Sequence, residues 1–232
     1  MYGLPKDVKF CKLCVISNQR PASIPEFRHT PDRAGAKYMN INDDGICDAC
    51  MHAAEKEKIN WEKRESELLQ LLDKYRKNNG EYDCLVPGSG GKDSCYQSHI
   101  LKTKYGMNPL TCTWSPFLYT DYGLKNFNNW LAVGGHDNVS FRPNGEIMKL
   151  LTKLSIQNLF HPFQTFILGQ KNLPPKIAKQ YNIDLIFYGE NEAEYGNPLA
   201  DNAKSLRDKS FFSLQNIDDI YIAGMPLKEL KE

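Results

Sequence analysis

Long apolar runs are missing from this sequence: nothing approaches the roughly 18 apolar residues of a membrane-spanning helix, and residues 1–10 hold no apolar stretch of signal-peptide length. These absences argue against a membrane or exported protein and predict a cytoplasmic one. A charge surplus is missing too, because 29 basic side chains face 28 acidic ones. A nucleic-acid binder working through phosphate contacts usually shows a basic excess, so bulk charge lends that class no support. An even set of cysteines is also absent: seven in 232 residues is a poor fit to a secreted disulfide framework, and metal or buried-thiol roles come first.

Four of those cysteines are paired by spacing. Cys11-Lys12-Leu13-Cys14 and Cys47-Asp48-Ala49-Cys50 are two CxxC knuckles with 32 residues between them. Two residues between cysteines let the chain fold back so that both sulfurs reach one ion, and four such thiolates make a tetrahedral Zn²⁺ set at about 2.3 Å. A redox CxxC and unligated thiols are the alternatives. The loop between the knuckles exceeds the usual ribbon spacing of about 15–20 residues. Doubling a loop costs only about 0.6 kcal/mol of closure entropy, against a zinc contribution on the order of 10 kcal/mol, so the spacing is no obstacle. Four cysteines complete the coordination and predict a structural ion. His29 and His52, close in sequence, read as surface residues beside that set.

A second stretch carries chemistry of another kind. Residues 82–86 form a short apolar run, and Pro87-Gly88-Ser89-Gly90-Gly91-Lys92-Asp93-Ser94 comes next, opening a helical stretch at 93–105. A strand that breaks into glycines and enters a helix aims several backbone N–H groups at one point, where the helix dipole adds positive potential. The segment predicts an anion site; the alternative is a glycine turn capped by Ser89 or Asp93 before an ordinary helix. It is not a Walker A loop, since Val86 stands where that motif requires glycine and Asp93 where it requires Ser or Thr. Ser-Gly-Gly-Lys-Asp-Ser instead resembles the pyrophosphate loop of the PP-loop ATP pyrophosphatases, which cleave ATP between the α and β phosphates and adenylylate a substrate oxygen.

Elements alternate around this loop: strands at 82–86, 109–114, 138–141 and 184–188, helices at 93–105, 122–133, 145–160 and 163–181. Short apolar strands separated by helices predict an α/β fold, a parallel sheet with helices on both faces. A small zinc module at 1–54 and a linking helix within 55–80 precede this ATP-binding domain at 81–232. The helical pattern before the domain covers 51–77, with Leu68, Leu71, Leu72 and Tyr75 as its apolar stripe. The last seven residues, from Pro226, read as the start of a helix cut short, which suggests a truncated product.

In parallel sheets ligands collect at the carboxyl ends of strands. That rule nominates Thr113 and Trp114, where an indole either stacks on a base or packs, and Glu190, with Glu192 and Glu194 beyond it, where carboxylates either hold Mg²⁺ beside phosphate oxygens or are solvated. Lys171 reads as a phosphate partner or a solvated lysine. Cys84, Cys95 and Cys112 read as small buried hydrophobes that would cluster near the loop.

The knuckles, the loop, the Leu110–Trp114 strand and Phe187-Tyr188-Gly189-Glu190-Asn191 before Glu194-Tyr195-Gly196 together resemble the N-acetyl sugar amidotransferases, the WbpG and PseA group of lipopolysaccharide, pseudaminic acid and flagellin glycosylation pathways. The resemblance runs from Cys11 to the end, and members normally continue further. It implies an ATP-dependent ligase that converts the acetamido group of an N-acetyl sugar into an acetamidino group. Ser89, Gly90, Gly91 and Ser94 would cradle pyrophosphate, Lys92 would offset its charge, Asp93 would cap the helix or place Mg²⁺, and Glu190 would act beside them. The implied cofactors are ATP, Mg²⁺ and structural Zn²⁺. No Gly-x-Cys-x-Gly elbow or amino-terminal cysteine is present to release ammonia from glutamine, so a separate glutaminase subunit is the expected partner. A tRNA thiolase, which shares the loop and often the knuckles, and a non-catalytic module binding zinc and nucleotide are the other readings.

Overall fold

The computed structural model describes residues 4–22, 24, 26–31, 37–189, 216, 218 and 220–230. Its amino-terminal part is built from tight turns rather than from a sheet. An antiparallel bridge joins Phe10 to Ser17, and another joins Ile41 to Cys47. Cys11 N–H donates to the Ile16 carbonyl and Lys12 N–H to that of Gly45, each at 2.9 Å, so the two knuckles are tied together by backbone. Apart from the cysteines, the buried cluster here holds Met39 with Ile16, Ile41 and Ala49 around it.

The second knuckle runs into helix α1 (Asp48–Lys56), and α2 (Trp61–Tyr75) comes after it. The single helix expected over 51–77 is therefore two. The break has a local cause: the Asn60 side chain accepts from Lys63 N–H at 2.9 Å and starts a new helix at Trp61. Of the expected stripe, Leu72 is fully buried while Leu71 is exposed. Leu72 packs with Cys84, Val86 and Leu101, so α2 lies on the sheet.

The sheet comprises β1 (Cys84–Pro87), β2 (Pro109–Trp114) and β3 (Asn138–Phe141), all parallel and in the order β1-β2-β3. Crossovers α3 (Lys92–Thr103) and α4 (Asp121–Ala132) join them, and α5 (Gly145–Leu159) and α6 (Gln164–Gln180) lie beyond β3 in the chain. Side chains alternate along β1. Leu85 packs with Leu110, Cys112 and the α6 residues Leu173 and Ile177, whereas Cys84 and Val86 pack against α2 and α3. Helices thus cover both faces of β1, whose first three residues, Cys-Leu-Val, are all buried and apolar. Buried Asp83 fixes the entry to the sheet by accepting from Lys77 and Asn108 N–H at 2.7 and 2.8 Å.

The expected strand at 184–188 is reduced to one parallel bridge, Leu85 to Ile186, with Leu85 N–H donating to Leu185 and Phe187 N–H to Leu85. It still lies along the free edge of β1. Of the terminal helix expected from Pro226, residues 227–230 form turns, and Pro226 itself ends a hairpin of β4 (Tyr221–Ile222) against β5 (Met225–Pro226). Ala223 and Gly224 turn it with φ of 55° and 76°, the two positive values of a type I′ turn. Gln164 Oε1 accepts from Ala223 N–H and Asn158 Nδ2 donates to its carbonyl, each at 2.9 Å, so tertiary bonds hold the hairpin turn in place. Among the described residues no helix is long and apolar enough to cross a membrane.

Candidate functional site

The four knuckle sulfurs meet. Cys11 and Cys50 Sγ are 3.9 Å apart, Cys14 and Cys47 Sγ 3.6 Å, and all four lie within 4.8 Å of one another. A tetrahedron of sulfurs at 2.3 Å from zinc has edges of about 3.8 Å, so the set could hold a zinc ion with little adjustment. No disulfide joins these cysteines. Backbone N–H groups of Leu13 and Cys47 point at the Cys11 sulfur at 3.4 and 3.3 Å. Burial would raise the Cys11 thiol, but amide donors from Cys47, Leu13 and Cys14 outweigh it and bring the pKa down to about 6. Burial pushes Cys50 up to about 12, and the neighbouring cysteines add to the rise.

The glycine loop leaves β1 with Gly88 N–H bonded to the Cys112 carbonyl at 2.9 Å, and buried Thr113 donates its hydroxyl to the Gly88 carbonyl at 2.8 Å. Thr113 therefore braces the loop from the neighbouring strand. Gly90 sits at φ +83°, and a Cβ there would come within 2.6 Å of the Phe127 Cα, so conformation and space both demand glycine. Gly91 is different. It is the N-cap of α3 with φ −74° and ψ 160°, and nothing lies within 4 Å of where its Cβ would be. The N-cap, being glycine, offers α3 no side chain, neither Ser89 nor Asp93 caps it, and the first helical bond is Cys95 N–H to the Gly91 carbonyl. The amides of Lys92, Asp93 and Ser94 precede that bond at the positive end of the helix.

Around these amides Ser89, Lys92 and Asp93 are exposed, and Ser94 is buried with its hydroxyl donating to the Gly91 carbonyl at 3.1 Å. Lys92 Nζ is 2.6 Å from the Asp93 carboxylate. Behind the helix, Trp130 Nε1 donates to Ser98 at 2.8 Å and Ser98 to the Ser94 carbonyl at 2.9 Å, locking α4 to the first turn. Gln97 donates to the Tyr188 carbonyl at 3.1 Å, and Gly189 lies against Asp93 and the Ser94 amide. The edge segment thus delivers the chain to the loop, as expected; Glu190, Glu192 and Glu194 lie outside the described residues. The Trp114 indole packs, stacked on Phe141 at 5.1 Å between centroids and seated against Gly169.

The remaining cysteines do not cluster. Cys84 and Cys112 belong to cores on opposite faces of the sheet, and burial pushes each up to about 12, while burial also raises Cys95. None is poised to be a thiolate at neutral pH.

One group went unseen in the sequence. Glu26, in a single 3₁₀ turn (Glu26–Arg28), brings its Oε2 within 3.7 Å of His29 Nε2 and 3.3 Å of His161 Nε2. His29 is thus half-buried among partners rather than a plain surface residue. Burial raises the Glu26 carboxyl to about 7, partly offset by the charge of Lys171, which faces Glu26. Glu26 and His161 are 135 positions apart, so no local spacing could have announced them.

No protein-family profile matches the chain. Among curated proteins it is similar to an uncharacterized protein of Methanocaldococcus jannaschii, 36% identical over 74 residues. Those residues are 32% of this chain and 26% of that protein, so the match spans about a quarter of the relative's length.

Proposed function

We propose that this chain is the ATP-using synthase component of an N-acetyl sugar amidotransferase of the PP-loop type. The observation that carries the reading is the start of α3: its N-cap is Gly91, which offers the first-turn amides no side chain of its own and has open space where a Cβ would be, and it is entered through Gly90 held at φ +83°. Such a cradle suits the β and γ phosphates of ATP.

An amide oxygen is a poor leaving group, and the proposed chemistry replaces it with a good one. The acetamido oxygen attacks the α phosphorus, the bond to the β phosphate breaks, and pyrophosphate leaves. Ammonia then adds its lone pair to the activated carbon, the carbon–oxygen bond breaks, AMP leaves, and the acetamidino group remains with a proton released. Amides at Lys92, Asp93 and Ser94 would stabilise the charge growing on the leaving pyrophosphate, with Lys92 adding to them. Mg²⁺ would neutralise phosphate oxygens, and Asp93 and Glu190 are the carboxylates in this sequence that would hold it. Ammonia would come from a separate glutaminase chain. The tRNA thiolase reading is disfavoured by the dispersal and raised pKa values of Cys84, Cys95 and Cys112.

The test is exchange of labelled pyrophosphate into ATP, run with acetamido sugars and with tRNA. Sugar-dependent exchange supports the proposal. Exchange only with tRNA, or formation of ADP and phosphate, would overturn it.

A further inference from the structure

The Glu26 group is the strongest feature that the proposed reaction leaves unused. Three potential ligands of the types preferred by zinc-class ions, one carboxylate and two imidazoles, place donor atoms within 4.8 Å of one another. Ligands 2.0–2.1 Å from a tetrahedral ion are separated by about 3.3–3.4 Å, and the separations of 3.3 and 3.7 Å from Glu26 Oε2 bracket that value. The imidazole rings are tilted by 39° with centroids 5.4 Å apart, so they do not stack.

The scaffold around them is rigid. His29 comes just after the 3₁₀ turn, its N–H donating to the Glu26 carbonyl at 3.3 Å. His161 sits where α5 ends, just after Phe160 turns the chain at φ 53°, and its N–H donates to the Ser155 carbonyl at 3.3 Å. Gln164, with no exposed surface, donates to the Glu26 carbonyl at 2.8 Å and ties that turn to α6. Glu26 Oε2 itself is buried and accepts no hydrogen bond, although a carboxylate oxygen out of water normally has a donor.

We propose that Glu26, His29 and His161 form a second metal site, which takes one divalent transition ion through a carboxylate oxygen and two imidazole nitrogens. Three protein ligands leave at least one position open to water or substrate, unlike the closed four-cysteine set. The ion would also clasp the turn after the knuckle module to the corner between α5 and α6. Lys171 faces the same carboxylate, and its charge opposes a cation, so this site fills after the cysteine site. The inference does not depend on the amidotransferase reading.

Cobalt separates the two sites. Protein purified with zinc on its cysteines is titrated with Co²⁺ and followed by absorption and by metal analysis after desalting. The expected result is one equivalent of Co²⁺ with a weak visible band and no thiolate charge transfer in the near ultraviolet. Glu26→Gln and His161→Asn should each weaken that equivalent by more than the roughly 10–100-fold that loss of an outer hydrogen-bond partner costs, while keeping the cysteine-bound zinc as a sign of folding. His29→Asn replaces either variant that loses its zinc. Wild-type protein that takes up no thiolate-free cobalt overturns the proposal, as do folded variants that bind it like the wild type.

Discussion

The knuckle module and the sheet domain solve the same problem with different means. In the sheet domain, Leu85 and Leu110 of adjacent strands meet Leu173 and Ile177 of α6, and the apolar face closes without help. In the module, three of the residues that fill the interior are Cys11, Met39 and Cys47, and the order around them comes from single bridges and turn hydrogen bonds. Burying so little apolar surface at about 25 cal/mol per Å² cannot offset about 1–2 kcal/mol of backbone entropy per residue. An ion on the four cysteines would supply what the module's small core does not; the sheet domain has no such need.

The sharpest way to break that comparison is to remove the ion. Cys47→Ser, or chelation, should unfold the knuckle segment, because a structural zinc supplies on the order of 10 kcal/mol. Hydrogen exchange read by mass spectrometry should show residues 10–47 losing protection while β1, β2 and α6 keep theirs. Uniform loss across both regions would show that the sheet depends on the module. The counterpart on the other side is Leu85→Ala, a fully buried side chain between strands and helix, expected to cost about 2–5 kcal/mol in chemical denaturation. That loss should leave zinc content unchanged.

The two regions also differ in how much of them could be read from residues alone. The cysteine set was legible because ligand chemistry fixes both residue type and spacing. β2 and β3 were legible to the residue because each is a short run rich in strand formers that starts at Pro109 or Asn138 and stops just before Ser115-Pro116 or Arg142-Pro143, although only β2 is buried along most of its length. What failed were places where distant hydrogen bonds decide. The Ala223-Gly224 turn lacks the usual Asn-Gly signature and is held by Gln164 and Asn158. The break before Trp61 hid in a charged stretch that looks helical on both sides. The Glu26 group depends on chain segments brought together only by the finished fold.

A smaller effect tests the loop's geometry. Gly90→Ala places a side chain at φ +83° and 2.6 Å from the Phe127 backbone. A left-handed alanine costs about 1–2 kcal/mol and overpacking against backbone about 1–3, so a loss of about 2–5 kcal/mol is expected by thermal or denaturant unfolding. A change below about 0.5 kcal/mol would mean that the loop is free to move.

The smallest effect on stability belongs to Gly91, and there folding and binding should part company. Its φ of −74° and ψ of 160° are those of an ordinary N-cap, and its Cβ direction is open, so Gly91→Ser fits without strain. A serine hydroxyl at that position accepts from the amides of the first turn, and serine is at least as good a cap as glycine, so stability should hold or rise by a few tenths of a kcal/mol. Those amides are the ones proposed to receive phosphate oxygens. An internal cap competes for them and also stands where the anion would approach, so binding of inorganic pyrophosphate with Mg²⁺, measured by calorimetry, should weaken by about tenfold or more, the equivalent of one hydrogen bond to a charged group. Unchanged pyrophosphate affinity in a variant of undiminished stability would show that the phosphates do not sit on the start of α3.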